Sequence, residues 1–237
     1  MRRSILLSLV LLLLLFPLSS FSQQDYIARY STFTAFSYLG TPSLNLVQRG
    51  FDVDFGVNMR PWITLGGDFS VQSGNSSLQE KNLKQSVLNQ LPPKNFLPPG
   101  FALAAPYDGT TYTYEAGPQF NYRRLKKFTL FARPALGAIH EDFTARPARC
   151  QQPELGCQDI LTKVLTALVG PSLSKSDTAL FYGFGGGVTW EATHNVGIRV
   201  ATDFVHYNFF TNLLDGGRNS FRVTVGTKWS FGKNIVH

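Results

Sequence analysis

Asn195-Val196-Gly197-Ile198-Arg199-Val200-Ala201-Thr202-Asp203-Phe204-Val205-His206-Tyr207 is the stretch whose reading decides the fold. Its even positions are Val196, Ile198, Val200, Thr202, Phe204 and His206. Its odd positions are Asn195, Gly197, Arg199, Ala201, Asp203, Val205 and Tyr207. Side chains that separate by parity over this length define a β-strand, because successive residues of a strand point to opposite faces. One face is apolar and the other carries Gly, Ala and the pair Arg199 and Asp203, so the two faces meet different surroundings.

The pattern repeats along the chain. Phe221, Val223, Val225, Thr227, Trp229 and Phe231 alternate with Ser220, Arg222, Thr224, Gly226, Lys228 and Ser230. Leu180, Tyr182, Phe184, Val188 and Trp190 oppose Gly183, Gly185, Gly187, Thr189 and Glu191. Tyr112, Tyr114, Ala116, Phe120 and Tyr122 oppose Thr113, Glu115, Gly117, Gln119 and Asn121. Comparable segments cover 50–59 and 63–71. Segments 25–38 and 127–140 follow the rule less well, with Phe33 and Phe131 on the wrong face. Pro118 and Pro134 each remove a ladder donor and predict bulges or rims. The count is eight strands.

The composition of the polar face decides which solvent it meets. It is rich in Gly and Ala, which a narrow interior needs and a hydrated surface does not. Its charges nearly balance: Arg29, Arg133, Arg199, Arg222 and Lys228 against Asp52, Asp54, Asp68, Glu115, Glu191 and Asp203. Buried charges must be paired, and a balanced set allows it. Trp62, Tyr112, Tyr122, Tyr182, Trp190, Tyr207 and Trp229 fall near strand ends, where interfacial girdles sit. The prediction is an all-β fold, an eight-stranded antiparallel up-and-down transmembrane β-barrel closed by one chain as a monomer. Its lumen holds the charge network and its wall faces lipid.

The connections support this orientation. Those after strands two, four and six read as tight turns (Arg60-Pro61, Arg123 to Lys126, Ala192 to Asn195). Those after strands one, three, five and seven read as longer loops, at about 39–47, 73–109, 141–177 and 208–219. Short periplasmic turns alternating with long extracellular loops are characteristic of outer-membrane barrels. In the second long loop Ser77-Leu78-Gln79-Glu80 reads as a capping box, followed by Leu83, Val87 and Leu91 at helical spacing. The third carries Ile160, Leu161, Val164, Leu165 and Leu168 on one face of a second predicted helix, and Cys150 and Cys157, which an oxidising compartment would join.

Residues 1–22 read as a secretory signal peptide, leaving 23–237 as the barrel domain. Met1-Arg2-Arg3 precedes an apolar run from Ile5 to Phe16, and Ser20-Phe21-Ser22 supplies the cleavage site. The 237 residues are 43% hydrophobic, 14% aromatic and only 16% charged, well below the roughly 25% usual for soluble domains. The net charge of +7 is scattered apart from Arg123, Arg124, Lys126 and Lys127, so nucleic acid is not an expected partner.

The last segment, Thr224-Val225-Gly226-Thr227-Lys228-Trp229-Ser230-Phe231, resembles the terminal assembly signal of small outer-membrane barrels, with Gly226, Trp229 and Phe231 at its marked positions. It departs from the usual form because Gly232 to His237 follow it. The mature chain as a whole resembles the OmpA-type and OmpX-type barrel family, without a peptidoglycan-binding domain. The resemblance implies an integral protein of the bacterial outer membrane, surrounded by its lipid and inserted by the barrel assembly machinery.

No cofactor, metal or catalytic site is expected. His206 lies on the apolar face without a serine two positions on, His140 sits at a rim before Glu141-Asp142, and His194 lies in a turn. Gly185-Gly186-Gly187 lacks the Lys-Ser/Thr of a phosphate loop. An eight-stranded interior is filled by side chains, whereas diffusion pores need about 16 strands. The expected function is non-enzymatic: envelope structure, or adhesion and binding of an extracellular ligand through loops 73–109 and 141–177. A lipid-A-modifying enzyme and a narrow low-conductance porin are the alternatives.

Overall fold

The computed structural model describes residues 24–89, 104–146, 166 and 169–236. Eight strands follow in chain order: β1 (Ala28–Thr41), β2 (Leu46–Arg60), β3 (Ile63–Gln79), β4 (Ala104–Leu125), β5 (Phe128–Ala145), β6 (Ser174–Glu191), β7 (Val196–Tyr207) and β8 (Arg218–Asn234). Each pairs antiparallel with the next, and β8 returns to pair with β1, closing the barrel. Closure leaves no free sheet edge, a condition that the hydrocarbon region of a bilayer imposes on any strand that crosses it. Among the described residues no helix is long and apolar enough to cross a membrane.

Parity decides the wall. Along β7, Gly197, Arg199, Ala201, Asp203, Val205 and Tyr207 are buried inside, while Ile198, Val200, Thr202 and Phe204 are exposed outside. β8 repeats this, with Ser220, Arg222, Thr224 and Lys228 buried and Phe221, Val225, Trp229 and Phe231 on the outer wall.

The ladders are continuous except at three ends and in one seam. Between β4 and β5 the pairing jumps from Glu115 opposite Gly137 to Phe120 opposite Ala132. Pro118 and Pro134 lie in the interval, so the two missing amide donors act on facing strands, within the wall and not at a rim.

The connections depart from the sequence reading in three places. The loop after β1 is only Pro42–Asn45, a single 3₁₀ turn closed by Asn45 in the left-handed region (φ 49°), so the short–long alternation does not hold there. β3 runs on to Gln79 and β4 begins at Ala104, so the second loop is shorter than 73–109. Above the apolar belt the outward face turns polar while Leu78 and Tyr107 point inward, so the in–out hydropathy pattern that marks the strands below no longer holds. Ser77 is a strand residue; the capping box is formed instead by Gln79 and Asn82, ahead of a 3₁₀ turn and a four-residue helical turn, Gln85–Leu88. The third-loop helix predicted around Ile160–Leu168 and the Cys150–Cys157 pair lie outside the described residues, as does the signal segment.

At the end opposite the tight turns, an apolar cluster fills the barrel mouth. Leu44, Leu78, Leu83, Phe143, Phe181, Phe209, Phe210, Leu213 and Leu214 are buried in it. Leu83 makes an isolated β-bridge to Leu214, and the Lys84 amide donates to the Leu213 carbonyl, tying the second loop to the fourth.

Candidate functional site

Below the mouth cluster the lumen is polar. Its centre is Arg222, whose side chain is 5% exposed. One terminal nitrogen reaches Asp68 Oδ1 at 2.8 Å and Asp52 Oδ2 at 3.3 Å; the other reaches Glu115 Oε2 at 3.1 Å and Asp203 Oδ2 at 2.9 Å. The Ser70 and Thr113 hydroxyls take further donations from it at 3.0 and 3.1 Å. Arg133 approaches the same carboxylates from β5, bidentate on Asp203 at 3.0 and 2.9 Å and within 3.4 Å of Asp68 and of Glu115. Arg199 meets Asp54 Oδ2 at 3.5 Å. Strands from every side of the barrel thus converge on one knot, held by planar guanidinium groups that can serve several carboxylates at once.

Arg199 explains the two aromatics that break the alternation. Phe33 and Phe131 both point inward, and the Arg199 guanidinium carbon lies 5.1 and 4.9 Å from their ring centroids. The rings take the place of a second counter-charge for a fully buried cation. Two glycines make room for the knot: a Cβ at Gly185 would collide with the Asp203 carboxylate, and one at Gly187 would come within 2.8 Å of the Phe131 ring.

A lower tier lies near the tight turns. Lys228 pairs with Glu191 at 2.6 Å. Arg123, read from sequence as part of a basic turn, instead points into the lumen, donating to the Pro61 carbonyl at 2.9 Å and to Asn58 Oδ1 at 3.0 Å. An upper tier was not anticipated at all. Glu141 is buried between Thr111 and Gln48, the Thr111 hydroxyl donating to its carboxylate. Arg218 is also buried there, with two nitrogens lacking hydrogen-bond partners among the described residues.

Of the eleven lumen residues proposed from sequence, ten enter these ion pairs. Arg29 does not: it is half-buried at the register shift between Ala28 and Tyr30, away from the knot. Tyr207 also departs from expectation, since its ring is buried inside the mouth and its hydroxyl contacts Ser220 and Thr41 hydroxyls at 2.7 and 3.2 Å. The upper girdle therefore lacks it.

The outer wall is apolar. Leu180, Phe51 and Phe184 are 81, 67 and 67% exposed, and Trp62, Tyr122, Trp190, Trp229 and Phe231 ring the end that carries the tight turns. A closed barrel with charges inside, apolar side chains outside and an aromatic rim is an inside-out solution that only lipid stabilises. Fold and wall together define a transmembrane β-barrel of the outer-membrane type.

No protein-family model matches the chain, and no curated protein is similar in sequence. Among solved structures it is similar to Neisserial surface protein A (8% identity, 85% of this chain and 96% of that one, TM-score 0.49). It is also similar to Ail, the attachment invasion locus protein of Yersinia pestis (15%, 87% and 100%, 0.40). A third is the outer membrane protein OprG from Pseudomonas aeruginosa (8%, 90% and 100%, 0.45).

Proposed function

We propose that this chain is an outer-membrane barrel with a sealed lumen, whose role in envelope structure or in binding an extracellular ligand is carried by the loops over its mouth. The observation behind this reading is that buried side chains cross the interior at two successive levels. The Arg222–Arg133 knot lies across the interior below, and Leu83, Phe143, Phe209, Phe210 and Leu214 pack together above. A barrel closed in this way has its remaining chemistry at its ends and on its wall. The loop bases are locked together through Leu83 and Leu214, which supports a fixed platform at the outer end. The terminal strand presents Trp229 and Phe231 outward, as a strand read by the assembly machinery would.

Two measurements test this. In planar bilayers the refolded chain is expected to give no conductance above background; stable open channels would overturn the sealed-lumen reading. Removing 90–103 and 147–165 leaves every described residue of the mouth cluster in place, so the barrel is expected to stay heat-modifiable on gels. Binding to host-cell surfaces or matrix should be lost in that variant, and retained binding would move the role elsewhere.

A further inference from the structure

On the outer wall, just above the apolar belt, the structure brings a hydroxyl from β6 to two residues of β5 that are distant from it in the chain. His140 on β5 stands directly opposite Thr178 on β6, and Asp142 lies two residues further along β5 on the same face. His140 Nδ1 is 2.7 Å from the Thr178 hydroxyl, and Nε2 is 3.3 Å from Asp142 Oδ1. One ring nitrogen is thus hydrogen-bonded to a hydroxyl, and the other lies at ion-pair distance from a carboxylate. All three side chains are open to the surroundings, with the imidazole 35% and the carboxylate 51% exposed.

We infer that Thr178, His140 and Asp142 form a hydrolytic site for the acyl esters of membrane lipids. This goes beyond surface binding and uses a different face of the molecule. A hydroxyl, an imidazole and a carboxylate in sequence are the parts of a nucleophile activated by an oriented base. With its proton on Nε2, on the side of Asp142, the ring accepts the Thr178 proton at Nδ1. The surroundings name the substrate class. One step down the strand from Thr178 is Leu180, the most exposed apolar residue on the wall, with Tyr182 beyond it. One step up is Ser176, opposite Asp142, and further toward the rim stands the exposed Arg146–Asp108 ion pair. The site therefore stands at the boundary between acyl chain and head group, the depth at which lipid ester carbonyls lie.

The reaction balances with water alone. Thr178 Oγ1 bonds to the ester carbonyl carbon as its proton passes to His140 Nδ1. The tetrahedral adduct then breaks its bond to the alcohol oxygen, which leaves with that proton. Water, deprotonated by His140, attacks the acyl-Thr178 ester, and the carboxylic acid departs as Thr178 recovers its proton. Asp142 acts as a positioning residue, holding the ring and balancing the imidazolium.

The test uses the full barrel reconstituted in two sets of vesicles, one of phospholipid alone and one containing lipopolysaccharide, in water enriched in oxygen-18. Labelled free fatty acid is followed by mass spectrometry. The wild type is expected to release it at ten times the protein-free rate or more in at least one set, which also distinguishes the two ester sources. T178A and H140A should fall to the protein-free rate, T178S should retain turnover, and D142N should lower kcat with KM unchanged. Heat-modified gel migration confirms that each variant is folded. A wild type no faster than protein-free vesicles in both sets overturns the inference, as does a folded T178A that matches wild type.

Discussion

Arg222 shows how much a single buried cation can organise. Its guanidinium touches four carboxylates from four strands besides its own, and with Arg133 and Arg199 it is set among the carboxylates of Asp52, Asp54, Asp68, Glu115 and Asp203. Removing one partner from such a set leaves charges buried without compensation, which costs about 3–5 kcal/mol. Arg222→Ala is therefore expected to shift the urea unfolding midpoint of the refolded barrel sharply downward, whereas removing Arg29 should change it little. Equal midpoints for Arg222→Ala and wild type would show that the knot fills space without stabilising. The polar members of the knot were legible in sequence, because parity places Arg199 with Asp203 and Arg222 with Lys228. Phe33 and Phe131 were not, because they violate parity and become intelligible only when Arg199 is found between them. Arg123, Glu141 and Arg218 escaped for a related reason: each sits near a strand end, where turn residues and lumen residues look alike in sequence.

The strands themselves were visible wherever their two faces differ. That difference exists only inside the apolar belt, so the existence of strands was readable and their outer ends were not. β3 continues through Ser73, Asn75 and Ser77, and β4 through Asp108 and Thr110, where the outward side chains are polar and the apolar Leu78 and Tyr107 face the mouth. The same boundary predicts where the wall tolerates charge. Val225, 48% exposed and within the belt on β8, should resist Arg strongly, since a cationic side chain near the bilayer midplane of a barrel costs about 2–4 kcal/mol, falling to about 0–1 near the interface. Unfolding in phospholipid vesicles is expected to show Val225→Arg strongly destabilised and Ser73→Arg nearly unaffected. Similar midpoints for the two would contradict the assignment of the belt. Thr178 and His140 belong to this scale too. They are neighbours only because β5 and β6 pair in this register, a relation that no window along one strand contains.

For the molecule as a whole, closure is the property on which the rest depends, and it is made where the two ends of the chain meet. β8 does not stop at Phe231: Gly232 to Val236 run alongside the segment before β1. The Ile27 amide donates to Asn234 Oδ1 at 2.9 Å, Asn234 Nδ2 to the Asp25 carbonyl at 3.1 Å, and the Ile235 amide to the Ile27 carbonyl at 2.9 Å. The Tyr26 hydroxyl adds a bond to the Gly232 carbonyl at 3.0 Å. The residues that depart from the usual terminal signal thus lengthen the seam that seals the barrel. Hydrogen bonds of this kind contribute about 0.5–1.5 kcal/mol each. Ending the chain at Phe231 is therefore expected to lower the unfolding midpoint by the loss of several such bonds, while leaving Tyr30 stacked on Phe231 and the lumen knot intact. Asn234→Ala, which removes two of those bonds, should show an intermediate loss. If the truncated chain unfolds at the same urea concentration as the full one, the tail adds nothing to closure, and the stability of the β1–β8 seam rests entirely on the ladder from Tyr30 to Gly40.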